Sequence, residues 1–221
     1  MPPVLAPCRR TLLGQAAALI LLPIAVARAD QTASRHLDFE VWRSGRRIGR
    51  HTVSVAGGDQ DFVVSINAEM AISLGPISLF RYHHVATETW RGGRFAALNS
   101  ASITNGHREQ VSAALTPAGV FIKTLTGSHT LTAEAMPLTH WNQHALQGPL
   151  FNPQTGAPMR ETVSRQFGQT LRMNDARAVT ATRYALSGDA EIVDWYDQAG
   201  AWAALRGKVK DGSFIDYHRV S

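Results

Sequence analysis

Two histidines four residues apart, in Thr139-His140-Trp141-Asn142-Gln143-His144, are the best spaced of this chain's chemistry-bearing side chains. On a helix His140 and His144 would share a face, the spacing that lets two imidazoles reach one metal ion. No glutamate sits beside His140 as a zinc-protease motif requires, so a third ligand has to come from His83, His84 or Glu134. The competing reading is structural: ordinary surface or core histidines, with Trp141 and Asn142 fixing a connection.

A second candidate group lies upstream. In a strand, Tyr82, His84, Ala86, Glu88 and Trp90 share one face, while His83 must point to the other, so the two adjacent histidines cannot chelate one ion. That stripe is either a row of cross-strand pairs or a polar patch lining a cavity. Glu88 buried there without a partner would have a raised pKa, and Arg81, on the opposite face, could not be that partner. The candidate ligand-binding residues are therefore Tyr82, His84, Glu88, Trp90, His140, Trp141 and Asn142, with His140 and His144 the candidate metal pair. Asp197, in Asp194-Trp195-Tyr196-Asp197, reads as a turn former, and Trp195 and Trp202 could pack across the hairpin that follows. No Gly-x-Ser-x-Gly elbow, Ser-x-x-Lys pair, calcium loop or glycine-rich phosphate loop occurs, so no catalytic residue and no cofactor is assigned.

The elements that must position these residues are strands. From His36 onward apolar residues recur at every second position between closely spaced turn signals. Phe62, Val64, Ile66, Ala68, Met70 and Ile72 fall on one face, opposite Val63, Ser65, Asn67, Glu69 and Ala71. Ser44-Gly45 and Asn105-Gly106 are hairpin turns, the second of the type that needs positive φ at both central residues. Strands are expected at 77–91, 94–104, 107–115, 120–125 and 128–134, then at 160–173, 177–186, 191–196, 201–209 and 213–220. Between the two series, Ala135 to Pro158 reads as a crossover, with a short helix over Thr139 to Leu146 capped by Thr139. The fold class is all-β: a large antiparallel meander forming a curved sheet, half-barrel or barrel, with that one helix in the central crossover. Strands of varying length with charges on both faces argue against a transmembrane barrel.

The first 29 residues read as an export signal. Arg9 and Arg10 precede an apolar run from Leu12 to Ala27, and Ala27-Arg28-Ala29 is a small-x-small cleavage site, so maturation would begin at Asp30. The run is broken by Pro23, which disfavours an integral membrane anchor. Arg9-Arg10-Thr11-Leu12-Leu13 fits either the twin-arginine route or ordinary secretion. The expected organisation is a removed signal at 1–29 and a single antiparallel β domain at 30–221, exported to the periplasm. Removing Arg9, Arg10 and Arg28 from the 22 Lys and Arg leaves 19 against 17 Asp and Glu, a net +2 without a basic cluster. That charge argues against nucleic acid as a partner. The single cysteine, Cys8, lies in the signal, so the mature chain would have no thiol chemistry.

The order of features resembles an exported bacterial family known as domain of unknown function number 6134. The resemblance is carried by Phe39, Val41, Gly45, Ile48-Gly49-Arg50-His51, Tyr82, Glu88-Thr89-Trp90 with Gly92 or Gly93, and Thr104-Asn105-Gly106. Trp141-Asn142, Gly188-Asp189 and the hairpin from Trp195-Tyr196-Asp197 to Gly200 and Trp202 complete it. A remoter likeness is to domain of unknown function number 3108. Both imply a large antiparallel sheet and neither implies an activity. Because a wide sheet that curls either fills its interior or holds a ligand, the leading expectation is a non-enzymatic binder of a lipid-like or other hydrophobic molecule. The alternatives are a metal protein using His140 and His144, and an envelope assembly protein acting through a protein partner.

Overall fold

The computed structural model describes residues 35–173 and 176–220. The segment read as an export signal and the turn expected at Asn174-Asp175 lie outside them. The alternating pattern becomes strands as the sequence predicts: β1 (Arg35–Arg43), β2 (Arg46–Gly57), β3 (Phe62–Leu74), β4 (Ile77–Arg91), β5 (Arg94–Thr104), β6 (His107–Thr116), β7 (Gly119–Thr124) and β8 (Ser128–Leu131). Three of the turns have left-handed central pairs, Ser44 (φ 48) with Gly45 (φ 74), Gly92 (φ 55) with Gly93 (φ 69) and Asn105 (φ 50) with Gly106 (φ 88). That twist matches the twist of the strands they join.

The crossover carries β9 (Met136–Pro137), a 3-10 helix (Gln143–Gln147), β10 (Leu150–Phe151) and β11 (Pro158–Met159), the three strands making a small sheet of their own. The meander then resumes with β12 (Glu161–Arg172), β13 (Ala178–Gly188), β14 (Ile192–Asp197), β15 (Trp202–Lys208) and β16 (Phe214–Arg219). β16 pairs with β1, giving a 13-stranded antiparallel sheet in the order β12-β13-β14-β15-β16-β1-β2-β3-β4-β5-β6-β7-β8. The sheet is not closed: its edges are β8 and β12, the two strands that the crossover connects. Alternation decides which face is dry. On β3, Phe62, Val64, Ile66, Ala68 and Met70 are buried while Ser65, Asn67 and Glu69 are exposed.

The dry face and the crossover form one hydrophobic core. Ala135, Leu138, Ala145, Leu146, Leu150 and Phe151 of the crossover are buried in the same cluster as side chains from both halves of the meander. Phe151 meets Phe95 edge-on at 6.1 Å, and Trp141 meets both Phe62 and Trp90 edge-on. The crossover thus fills the interior that the sheet encloses.

Two expectations are corrected. The helix is a 3-10 turn starting at Gln143, with Asn142 as its cap, instead of a helix over Thr139 to Leu146 capped by Thr139. His140 adopts φ 61, and Trp141 N–H donates to the Thr139 carbonyl at 2.7 Å, a tight turn that stops helical propagation. The last strand before the crossover ends at Leu131 and not Glu134, where Ala135 N–H donates back to Thr132.

Candidate functional site

The stripe read on β4 is the buried face of that strand: His84, Ala86, Glu88 and Trp90 are buried and Tyr82 is half-buried, whereas His83 and Val85 are exposed. His83 bonds Asn67 on the outer surface. Glu88 is fully buried beneath the crossover. Trp90 Nε1 donates to it at 2.9 Å, Trp141 Nε1 lies 3.2 Å from both carboxylate oxygens, and the Thr139 side chain also bonds it. Burial pushes its pKa up to about 6, and the three neutral donors oppose that rise. Thr139 therefore serves Glu88, which is why it is not the helix cap.

Across the interior, Asp194 of β14 is fully buried and accepts from Trp202 Nε1 and from His140 Nδ1, both at 3.0 Å. The His140 ring stacks on Trp202 with centroids 5.5 Å apart, and Tyr196 Oη donates to the His140 carbonyl at 2.6 Å. These contacts hold His140 in its left-handed conformation. The crossover is tied by Glu88 to one half of the sheet and by Asp194 to the other.

Between these ties is a chamber of about 80 Å³, its polar lining made by His51, Tyr82, His84, His140, Gln154 and Tyr217. Ile66, Ala68 and Leu138 complete the wall. His84 Nδ1 bonds Ser102 Oγ at 2.8 Å, and Tyr82 bonds Gln154. His51 is different. It is buried between the edges of Trp202 (5.3 Å) and Tyr217 (5.5 Å), and neither ring nitrogen has a hydrogen-bond partner among the described residues. Desolvation pushes its pKa down to about 3, helped by His140 and His84, and desolvation likewise lowers His84 to about 4. Burial raises both Tyr82 and Tyr217. Every group around the chamber whose pKa is moved is pushed toward its uncharged form.

The metal pair is not assembled as expected. His140 precedes the 3-10 helix, so the two histidines share no helical face. His140 lines the inner chamber, whereas exposed His144 lines a separate outer recess of about 260 Å³ with Trp141, Asn142 and Gln143. Among the described residues no group of three or more His, Cys, Asp or Glu could hold a metal ion. Trp195 and Trp202 do not pack together either. Trp202 is registered with Tyr196, and a bulge follows Trp195, which stays half-buried. Asp197 is the turn former expected, accepting from Ala199 and Ala201 N–H at 2.9 Å.

Sequence reasoning missed His51, Asp194 and Tyr217 as site residues. His51 has the same parity as Val53 and Val55 on β2, and Asp194 the same parity as Tyr196 on β14, so alternation already placed both on the dry face.

Fold and interior together define an open antiparallel β-barrel plugged by its own crossover. A family model described as domain of unknown function (DUF6134) matches residues 39–220, and the chain belongs to that family. No curated protein matches it. Among solved structures it is similar to the crystal structure of a beta-barrel-like protein of domain of unknown function DUF1849 from Brucella abortus. That likeness has TM-score 0.62 and 10% identity, and covers 85% of this chain and 96% of that one. It is a likeness of fold alone.

Proposed function

We propose that this chain is an exported, non-enzymatic binding protein of the bacterial envelope whose inner chamber takes a small, uncharged, hydrogen-bonding molecule. The observation that carries this reading is His51: buried beside the chamber, with both ring nitrogens lacking a partner among the described residues. A buried polar group without a partner costs about 1–3 kcal/mol, and a neutral imidazole offers one donor and one acceptor to whatever satisfies it. The chamber has room for about two to three water volumes, or a solute of a few heavy atoms. An ion is disfavoured because burial keeps His51 and His84 neutral. A lipid chain, the expectation from the sheet alone, would have to displace the crossover that fills the interior. Export rests on the N-terminal pattern of Arg9, Arg10 and the apolar run to Ala27.

The test is to purify the protein from the periplasm, denature it and identify released small molecules by mass spectrometry, in parallel with His51→Phe. The expected result is one small neutral compound released in stoichiometric amount from the wild type and absent from the variant. Acetamide, added as a probe, should shift the His51 ring ¹⁵N resonances. Release of nothing, together with His51 resonances indifferent to acetamide, would mean that the chamber holds water alone.

A further inference from the structure

The β3–β4 hairpin reaches past both of its neighbours. Pairing of β2 with β3 ends at Gly49 and Met70, and pairing of β4 with β5 begins at Tyr82 and Thr104, so residues 72–80 pair only with each other. This ribbon, Ile72-Ser73-Leu74-Gly75-Pro76-Ile77-Ser78-Leu79-Phe80, contains no charged residue. Ile72 and Phe80 at its root are half-buried, but the side chains toward its tip are open: Leu74 is 67% exposed, Ile77 60% and Leu79 57%. An uncharged ribbon with exposed aliphatic side chains and no strand paired to its outer edges is a liability that soluble proteins avoid unless something covers it.

The charges at its root indicate what covers it. The β1–β2 turn lies at the same end of the sheet, because Arg43 pairs with Arg46 and Gly49 with Met70. The β5–β6 turn lies there too, because Asn105 Oδ1 accepts from Arg81 N–H. Exposed Arg46, Arg47, Arg81 and Arg108 therefore surround the ribbon's base. Arg47 is paired with Glu40, and Glu69 is the exposed carboxylate closest in register, facing His83. Arg46, Arg81 and Arg108 have no carboxylate partner among the described residues. A collar of guanidinium groups below an apolar tip matches the layering of a bilayer surface, phosphates outside and acyl chains about 5–10 Å beneath. Four residues of extended strand span about 13 Å, enough for that depth.

We propose that the β3–β4 hairpin docks the protein onto an anionic phospholipid surface, with Leu74, Ile77 and Leu79 inserted and Arg46, Arg81 and Arg108 on the headgroups. The test is flotation of the full chain with phosphatidylglycerol-containing vesicles and with pure phosphatidylcholine vesicles. Two variants are compared with wild type: Leu74→Ser/Ile77→Ser/Leu79→Ser and Arg46→Glu/Arg81→Glu. The N-terminal apolar segment is common to all three, so differences report the hairpin. The triple serine variant should partition about a thousandfold less, since each of the three inserted aliphatic side chains contributes about one decade or more. The charge-reversal variant should lose only the preference for phosphatidylglycerol. Far-ultraviolet circular dichroism checks that both variants keep the sheet. Equal partitioning of wild type and the serine variant would overturn the proposal. So would wild-type self-association that the serine substitutions abolish without change in vesicle binding, which would assign the ribbon to a second copy of the chain.

Discussion

His51 and Glu88 are buried in the same interior, and burial moves their proton equilibria in opposite senses with respect to stability. The folded pKa of His51, about 3, is below its ordinary value of 6.5, so the unfolded chain takes up the proton first. Stability is then lost as pH falls from about 6.5 toward 3, by roughly 3 kcal/mol over the part above pH 4. His51→Phe should remove that slope, and urea titrations at pH 7 and pH 4.5 check it; an unchanged slope would show that His51 does not carry it. For Glu88 the folded pKa, about 6, exceeds the ordinary 4.5, so its contribution is intact below pH 4.5 and declines as pH rises through 6. Glu88→Gln should gain about 2 kcal/mol relative to wild type between pH 4.5 and pH 7, whatever its absolute stability. A relative stability flat with pH would mean that the tryptophan donors already compensate the burial.

At the scale of the elements, the crossover decides whether the sheet has an open interior. Hydrogen bonds from Trp141 to Glu88 and from His140 to Asp194 hold it from two sides, and Gly156 holds it from a third. At φ 75, a Cβ on Gly156 would lie 2.8 Å from Ile122 Cγ2 and 2.9 Å from Thr124 Cγ2, both on β7. Gly156→Ala should cost about 1–3 kcal/mol through overpacking and backbone strain. A lower urea midpoint measures that cost, and an unchanged midpoint would show that the crossover does not press on β7. The sheet edges are managed differently. β12 is exposed along most of its length, but a bulge between Gln166 and Gln169 with Gly168 at φ 65, and Arg165 over the Phe167 ring at 4.4 Å, break up its flat edge. The strands were legible because alternation with a period of two survives in most of them. The crossover was less so, since its two-residue strands have no period and its turn at His140 depends on Tyr196 and Asp194, far away in sequence.

For the molecule as a whole, the buried imidazoles outweigh the buried carboxylate. Between pH 6.5 and 4.5, His51 and His84 together lose roughly 5 kcal/mol, against roughly 2 kcal/mol regained as Glu88 takes its proton. Asp38, held below the ordinary carboxylate range by Arg50, is still ionised there and adds its own loss only at lower pH. The melting temperature should therefore fall steadily from pH 7 to pH 4.5 by scanning calorimetry; a rise over that interval would place the balance with Glu88.

By itself the sequence determined the antiparallel meander, most strand limits, the hairpin turns and the buried face of β4, because side-chain alternation and left-handed turn residues are local properties. Tertiary structure alone decided that β16 returns to β1, that the barrel stays open between β8 and β12, and that the crossover fills it. It also moved chemistry from a helical His140 and His144 pair to a chamber where His51, His84 and His140 meet from two strands and a turn. Those contacts join residues many positions apart, and no local period encodes which of them share an interior.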